Sequence, residues 1–425
     1  MKQLYLAAIA LLCVLGEKLN AMLFGYMANQ GLVLGLNTLT NLVPTIYESL
    51  DIVSREMVGF IPAVSRNSNG VERAALNQTI TVPITQAQAM ADNTPAVTAP
   101  NTGDQTVGLI NMTISKSKHV PIRWAGEEQR GQLNAGTYNG TLRNQFSQAF
   151  RTLVNQIEVD LATTAYQNAS RAYGTPGTAP FGVASDLSDA AQVRKILDDN
   201  GVPQSDLHLV LGSAAVANLR GKQSLLLKVN ESGSTALLRQ GSITDLPIEG
   251  FGMHNSAGVV AVTKGTGTAY TSTAAGFAIG TTSIPLITGS GTVLAGDAVT
   301  FAGDSNKYVV ATGVAAPGTI VLAAPGLLQA IPASATAMTI GNTATPNIAF
   351  QRQAIQLITR IPATPLGPDG KPMDMASDSV IVTDPVSGIS FEVAVYTGFL
   401  QLTYHVRLAW GYQAIKQAHI ASLLG

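Results

Sequence analysis

The feature that most constrains this chain is an apolar stripe that holds helical spacing for more than five turns. Leu142, Phe146, Phe150, Leu153, Val154, Ile157 and Leu161 recur at three- and four-residue steps with polar residues between them. The pattern predicts one helix over 141–172, stopped by Gly174-Thr175-Pro176. At about 1.5 Å per residue that is a rod on the order of 45 Å, long for a globular helix. Such a rod suits a scaffold on which other elements are laid.

Upstream, Leu36, Leu39, Val43, Ile46, Tyr47 and Leu50 also keep helical spacing, but Pro44 interrupts them, so a short helix on each side or a kink is expected. Residues 66–106 are polar, with little that could form a core. Gln78-Thr79-Ile80-Thr81-Val82 alternates like a half-exposed strand, 107–114 does the same, and 118–124 continues it. A long strand pair joined by a polar loop and projecting from the body accounts for this region. After the long helix, 186–200 reads as a second helix, 207–211 as a buried strand and 213–220 as a third helix, which together make an α/β unit.

Composition shifts near Met253. From there to Pro346 the only charged residues are Lys264, Asp297, Asp304 and Lys307, while Gly, Thr, Ala and Val dominate. Short β-rich runs at 259–263, 283–287, 298–302, 308–311, 319–323 and 337–340 are separated by glycine turns, the texture of a small barrel or sandwich. Past Asn347 the α/β texture returns, so this all-β, barrel-like unit reads as an insertion into a larger domain. The whole chain is 46% hydrophobic and only 12% charged, about half the charged share usual for a soluble protein. Covering the resulting neutral surface with copies of the same chain is one physical solution. A net charge of -1 argues against a basic nucleic-acid-binding stripe.

Candidate chemistry is thin. Gly265 and Gly267 follow an expected strand, but Tyr270 stands where a dinucleotide fingerprint needs its third glycine, and no acidic residue follows at the right distance. Gly212-Ser213 sits between strand and helix as a nucleophile elbow does, yet Ala214-Ala215 replaces the required glycine. Asp198-Asp199 beside Gly201 reads as a solvated turn, and triplets such as Asn77-Gln78-Thr79 arise by chance in Asn/Thr-rich sequence. His119, His208, His254, His405 and His419 are scattered, with no pair at the spacing of a helical metal site. Glu127-Glu128 lie beside Arg123 and Arg130 without a nucleophile or histidine, so these charges read as ion pairs within or between chains. No catalytic residue, cofactor or metal site is expected, and the chain reads as a non-enzyme.

The N-terminus points two ways. Lys2, the apolar run 4–15 and Leu19-Asn20-Ala21 resemble a secretory signal, while a start at Met27 would make 1–26 an upstream extension absent from the mature protein. The run is too short to span a bilayer. Cys13 is the only cysteine, so no internal disulfide forms.

Four stretches carry a family resemblance. Thr113-Ile-Ser-Lys116-Ser-Lys118-His-Val120-Pro-Ile-Arg123-Trp124 with Glu127-Glu128 looks like a strand and turn leading from an extended loop to a spine helix. Ala295-Gly-Asp297-Ala-Val-Thr-Phe301-Ala-Gly303 with Tyr308-Val-Val resembles the core strands of an inserted domain. Asn347-Ile-Ala-Phe350-Gln-Arg352-Gln-Ala-Ile355 with Thr359-Arg360 looks like the return to the main fold, and Tyr404-His-Val-Arg407-Leu-Ala-Trp410-Gly-Tyr412 like a C-terminal strand. In this order, over nearly everything after Met27, they resemble the coat proteins of P22-like tailed bacteriophages.

The resemblance implies an α+β, HK97-like capsid fold with an extended-loop hairpin, a long spine helix, peripheral and axial domains, and the inserted β unit. It divides the chain into an N-terminal arm (27–60), hairpin and peripheral strands (61–135), spine helix (136–175), first axial part (176–252), insertion (253–346) and the return to both domains (347–425). It implies a major capsid protein that self-assembles as pentamers and hexamers in the host bacterial cytoplasm. It also implies a scaffolding protein and a portal as partners, and enclosed double-stranded DNA bound without sequence specificity or a membrane. Arg123, Trp124, Glu127, Glu128 and Arg130 are the expected inter-subunit contacts. The competing class is a secreted or surface-layer β-rich protein, which would account for the leader and the low charge.

Overall fold

The structure is a computed structural model that describes residues 39–54, 58–84, 90, 95, 108–134, 136–183, 186–222, 247–369, 373–384 and 387–425. The leader with Cys13, the Met27 start and most of the expected hairpin loop lie outside the described residues. The chain begins with helices α1 (Leu39–Ser54) and α2 (Phe60–Ala63) and strands β1 (Ser65–Ala74), β2 (Thr79–Ile84), β3 (Gly108–Thr113) and β4 (Lys116–Ala125). Helices α3 (Gly126–Asn134) and α4 (Tyr138–Gln167) follow, then β5 (Arg171–Gly174), α5 (Ser188–Asp199), β6 (Leu207–Leu211), α6 (Ser213–Arg220) and β7 (Phe251–Asn255). Short strands come next: β8 (Tyr270–Thr271), β9 (Ser283–Pro285), β10 (Ala298–Phe301), β11 (Lys307–Thr312), β12 (Thr319–Leu322) and β13 (Ala337–Ile340). The chain closes with β14 (Pro346–Gln351), β15 (Ile355–Pro362), β16 (Asp378–Thr383), β17 (Ser390–Gly398), β18 (Gln401–Ala414) and β19 (Ile420–Leu424).

The 30-residue α4 buries every residue of the predicted stripe. It lies across a six-stranded sheet ordered β1-β15-β18-β17-β16, with β4 added along β18. Phe146 meets Tyr404 edge-on at 5.5 Å between ring centres and Phe150 meets Phe391 at 5.0 Å, so aromatic contacts fix the helix on β17 and β18. A second sheet runs β7-β6-β14-β19-β5. Its strands β6, β14 and β19 are buried along their whole length, as continuous apolar runs require, with α5 and α6 packed on one face.

The long helix ends at Gln167, five residues before the expected boundary. Residues 171–174 are drawn into β5 because strands on both sides bond to them: β19 in parallel (Ala421↔Arg171) and β11 antiparallel (Tyr308↔Arg171). Helix α1 runs unbroken through Pro44, where two helices or a kink were expected. Pro44 is on the exposed face, where water can satisfy the carbonyl left by its missing amide.

Residues 270–340 share an apolar cluster of their own, including Tyr270, Ile284, Val299, Phe301, Tyr308, Ile320 and Met338. Their strands are nonetheless continuous with the second sheet, because β11 bonds to β5. The strand expected at 259–263 is absent; only Val262 bridges Ala344. Gly258 abuts the Glu158 carbonyl, where a Cβ would sit 2.9 Å away, and Val259 packs on Gly212. This segment is threaded between the long helix and the β6–α6 turn, with no strand beside it.

Strands β2 and β3 form a two-stranded hairpin in register from Thr79↔Thr113 to Ile84↔Gly108 and pair with no other strand. One face of it is packed: Met112 and Ile114 are buried with Ala74, Ile358 and Ala409 at the root, and Ile80, Val82 and Ile110 lie half-buried against that cluster. Gly411 permits this seat: a Cβ there would lie 2.2 Å from the Thr113 carbonyl oxygen.

Candidate subunit contact surface

Strand β4 pairs with β18 from Gln401↔Ala125 to Trp410↔Lys116. Strand alternation therefore turns Ile122 and Trp124 inward and Pro121 and Arg123 outward. Trp124 is buried in its own chain: its Nε1 donates to Gln145 Oε1 at 2.9 Å and its ring meets Tyr138 edge-on at 5.3 Å. It anchors the base of the strand to α4. This separates it from the other four expected contact residues, which face solvent.

Helix α3 buries none of its residues. Glu127 and Glu128 occupy its first turn, where the helix dipole favours negative charge. Glu128 Oε2 also accepts the Ala125 amide at 3.3 Å, in the manner of a capping box. Arg123, Glu127, Glu128 and Arg130 are all exposed, and among the described residues none makes an ion pair. Among the described residues, then, the internal pairing open at the level of sequence is not seen. What remains is an exposed patch with two charges of each sign on a helix that its own chain holds lightly.

At the other end of β4 two buried carboxylates on α4 tie the elements together. Asp160 on α4 accepts from Lys116 Nζ at 2.6 Å, Trp410 Nε1 at 2.9 Å and Gln156 Nε2 at 3.0 Å, fixing the start of β4 and the middle of β18 to the helix. Glu158, two residues earlier, accepts from the amides of Gly59, Phe60 and Ile61 at 3.3, 3.0 and 2.8 Å and from Ser256 Oγ at 2.6 Å. Burial pushes its carboxyl above the ordinary range, against the pull of the Ser256 hydroxyl and the three amides. It joins α2, α4 and the exit of β7 at one atom group.

Four of the five histidines, scattered in sequence, are paired in space. His119 and His405 stack at 4.6 Å, and His208 Nδ1 lies 3.0 Å from His254 Nε2. His208 Nε2 also meets Asp206 Oδ1 at 3.0 Å and Arg352 Nη2 at 3.1 Å. Only strand register could have revealed these pairs, since each joins different strands. Among the described residues no group of three or more His, Cys, Asp or Glu is placed to hold a metal. A cleft of about 420 Å³ beside Ser213 is lined by Gly177, Pro180, Gly212 and Asn347, and no histidine, aspartate or glutamate side chain lines it to activate the hydroxyl. No described helix is long and apolar enough to cross a membrane.

A hairpin, a long helix and two sheets follow one another in the order that the resemblance implied. No family model matches the sequence, and no curated protein matches it. Solved structures do match, mostly phage capsids. One titled "Mycobacterium phage Che8" is 12% identical, with a TM-score of 0.41 over 82% of this chain and 84% of that one. The capsid structure of the cyanophage P-SCSP1u is 10% identical, with a TM-score of 0.43 over 85% and 86%. The mature capsid of bacteriophage PhiM1 is 10% identical, with a TM-score of 0.39 over 86% of each chain.

Proposed function

We propose that this chain is a major capsid protein: a non-catalytic subunit that assembles with its own copies into an icosahedral shell enclosing phage DNA. The observation that carries this reading is the β2–β3 hairpin. It stands as a separate two-stranded sheet, and isolated two-stranded hairpins are marginal in water. One face, through Ile80, Val82, Ile110 and Met112, is seated on its own body, but the opposite face, with Leu109 64% exposed, is not, so a neighbouring copy is the natural support for it. The low charge and the solvent-facing α3, whose charges of both signs make no ion pair among the described residues, support the same reading.

In this role the subunit forms pentamers and hexamers. A scaffolding protein guides closure, a portal occupies one vertex, and the DNA inside is held without sequence-specific contacts. Assembly takes place in the host cytoplasm and the product is the virion shell. The test is expression of the chain alone and with a co-expressed scaffolding partner, followed by sedimentation and electron microscopy. Closed particles of uniform diameter are expected. A chain that stays monomeric under both conditions overturns the proposal.

A further inference from the structure

The apex of the β17–β18 hairpin carries two apolar side chains that no described residue covers. Phe399 is 91% exposed and Leu400 is 76% exposed, whereas every other described phenylalanine is buried or half-buried. The apex is held firmly. β17 and β18 stay paired up to Gly398↔Gln401, and the Gly126 amide donates to the Leu400 carbonyl at 3.0 Å. Leu400 has φ of 52°, in the left-handed region that Asn or Gly adopts with less strain. Tight hairpin turns favour Asn, Asp and Gly. Phe-Leu at this place adds backbone strain and wetted apolar surface, and the isolated subunit gains nothing from either.

We propose that Phe399 and Leu400 form a docking knob that buries itself in a second copy of this chain. The inference rests on the shell-forming reading and names the residues that would make one of its contacts. The surroundings select the partner. Arg123 lies opposite Thr403 in the strand register, Ala125 opposite Gln401, and α3 begins at Gly126, so the knob is flanked by Arg123, Glu127, Glu128 and Arg130. These two cations and two anions make no ion pair among the described residues. Balanced, unpaired charge is complementary to another copy of itself, whereas a polyanion would meet two carboxylates here. The contact therefore has an apolar centre and a charged rim, the anatomy of a protein interface.

The experiment uses the full chain under conditions in which it associates. The double variant Phe399→Ser/Leu400→Asn should keep the wild-type circular dichroism spectrum and thermal midpoint but need at least about tenfold more subunit to associate. The control Phe399→Leu should stay within about twofold of wild type. A photo-crosslinking phenylalanine analogue at position 399 should give covalent dimers of this chain. Association of the double variant at the wild-type concentration, or crosslinks only within one chain or to another protein, overturns the knob. The two proposals separate cleanly: small oligomers that crosslink through 399 but never close keep the knob and remove the shell. Shells that form equally well from the double variant do the reverse.

Discussion

Glu158 and Ile61 are 97 residues apart in sequence, yet the carboxylate of one accepts the amide proton of the other at 2.8 Å. The neighbouring amides of Gly59 and Phe60 and the Ser256 hydroxyl converge on the same group, so one buried side chain holds the start of α2 and the exit of β7 against the long helix. Glu158→Gln should destabilise the subunit by about 1.5–3 kcal/mol, because the amide nitrogen turns a donor toward other donors. Urea unfolding of the two proteins measures the difference. An unchanged midpoint would mean that the carboxylate is dispensable there.

Trp124 and Arg123 are neighbours in β4 with opposite orientations, and their substitutions should part accordingly. Trp124→Ala should cost about 3–5 kcal/mol through the cavity it leaves and the lost bond to Gln145. Arg123→Ala should change monomer stability by no more than about 0.5 kcal/mol while weakening assembly. Unfolding and sedimentation, run in parallel, check both.

Acid should weaken the fold through His254. Burial, with the charges of His208 and Arg352, pushes its imidazole down from 6.5 to about 4. Between those values the unfolded chain binds a proton that the folded chain refuses. Stability from this site is therefore complete above pH 6.5 and falls as pH drops toward 4, by on the order of 2–3 kcal/mol. His254→Gln should flatten that part of the profile, as read from urea midpoints at pH 7.5 and 4.5 relative to wild type.

Deleting residues 86–105 should leave a folded, soluble subunit that forms no closed shells. The stretch 85–105 offers Met90, Val97 and a scatter of alanines for burial, far too little to offset backbone ordering at about 1–2 kcal/mol per residue. Electron microscopy of the deletion variant decides the matter: normal particles would make the hairpin loop a decoration.

The segment expected as an inserted β unit, 253–346, trimmed to 256–345 to leave out β7 and β14, should keep a β-type spectrum when expressed alone. Its apolar cluster draws only on residues 270–340, although β11 loses its partner β5 on excision. A helical or unfolded spectrum would show that the body is needed to fold it.

The sequence spoke most clearly where one physical signal dominated. Seven apolar residues at helical spacing are enough to mark α4, and the five-residue run Leu207-His-Leu-Val-Leu211 is enough to mark β6, because burial alone decides both. The signal failed where partners distant in sequence decide. Residues 171–174 became β5 only because β19 and β11 flank them, and 259–263 failed to become a strand because the long helix occupies the space beside it. Within the candidate surface, the alternation Ile122-Arg123-Trp124 was a legible cue that Arg123 and Trp124 face opposite ways. Phe399-Leu400 gave no comparable cue, since an apolar pair beside glycine reads equally well as the end of a buried strand.

The central place of β19 has a consequence for how this subunit is made. Residues 420–424 lie between β14 and β5, and β18, which organises the other sheet, begins only at Gln401. Neither sheet can close until residues 401–424 have left the ribosome. β1 and β5 wait through roughly ten seconds or more of further synthesis with their edges unpaired, at about 5–20 residues per second. Through that interval the free edges of β1 and β5 can pair wrongly, so folding of this subunit is tied to the late arrival of β15, β18 and β19 and not to the order in which its first strands emerge.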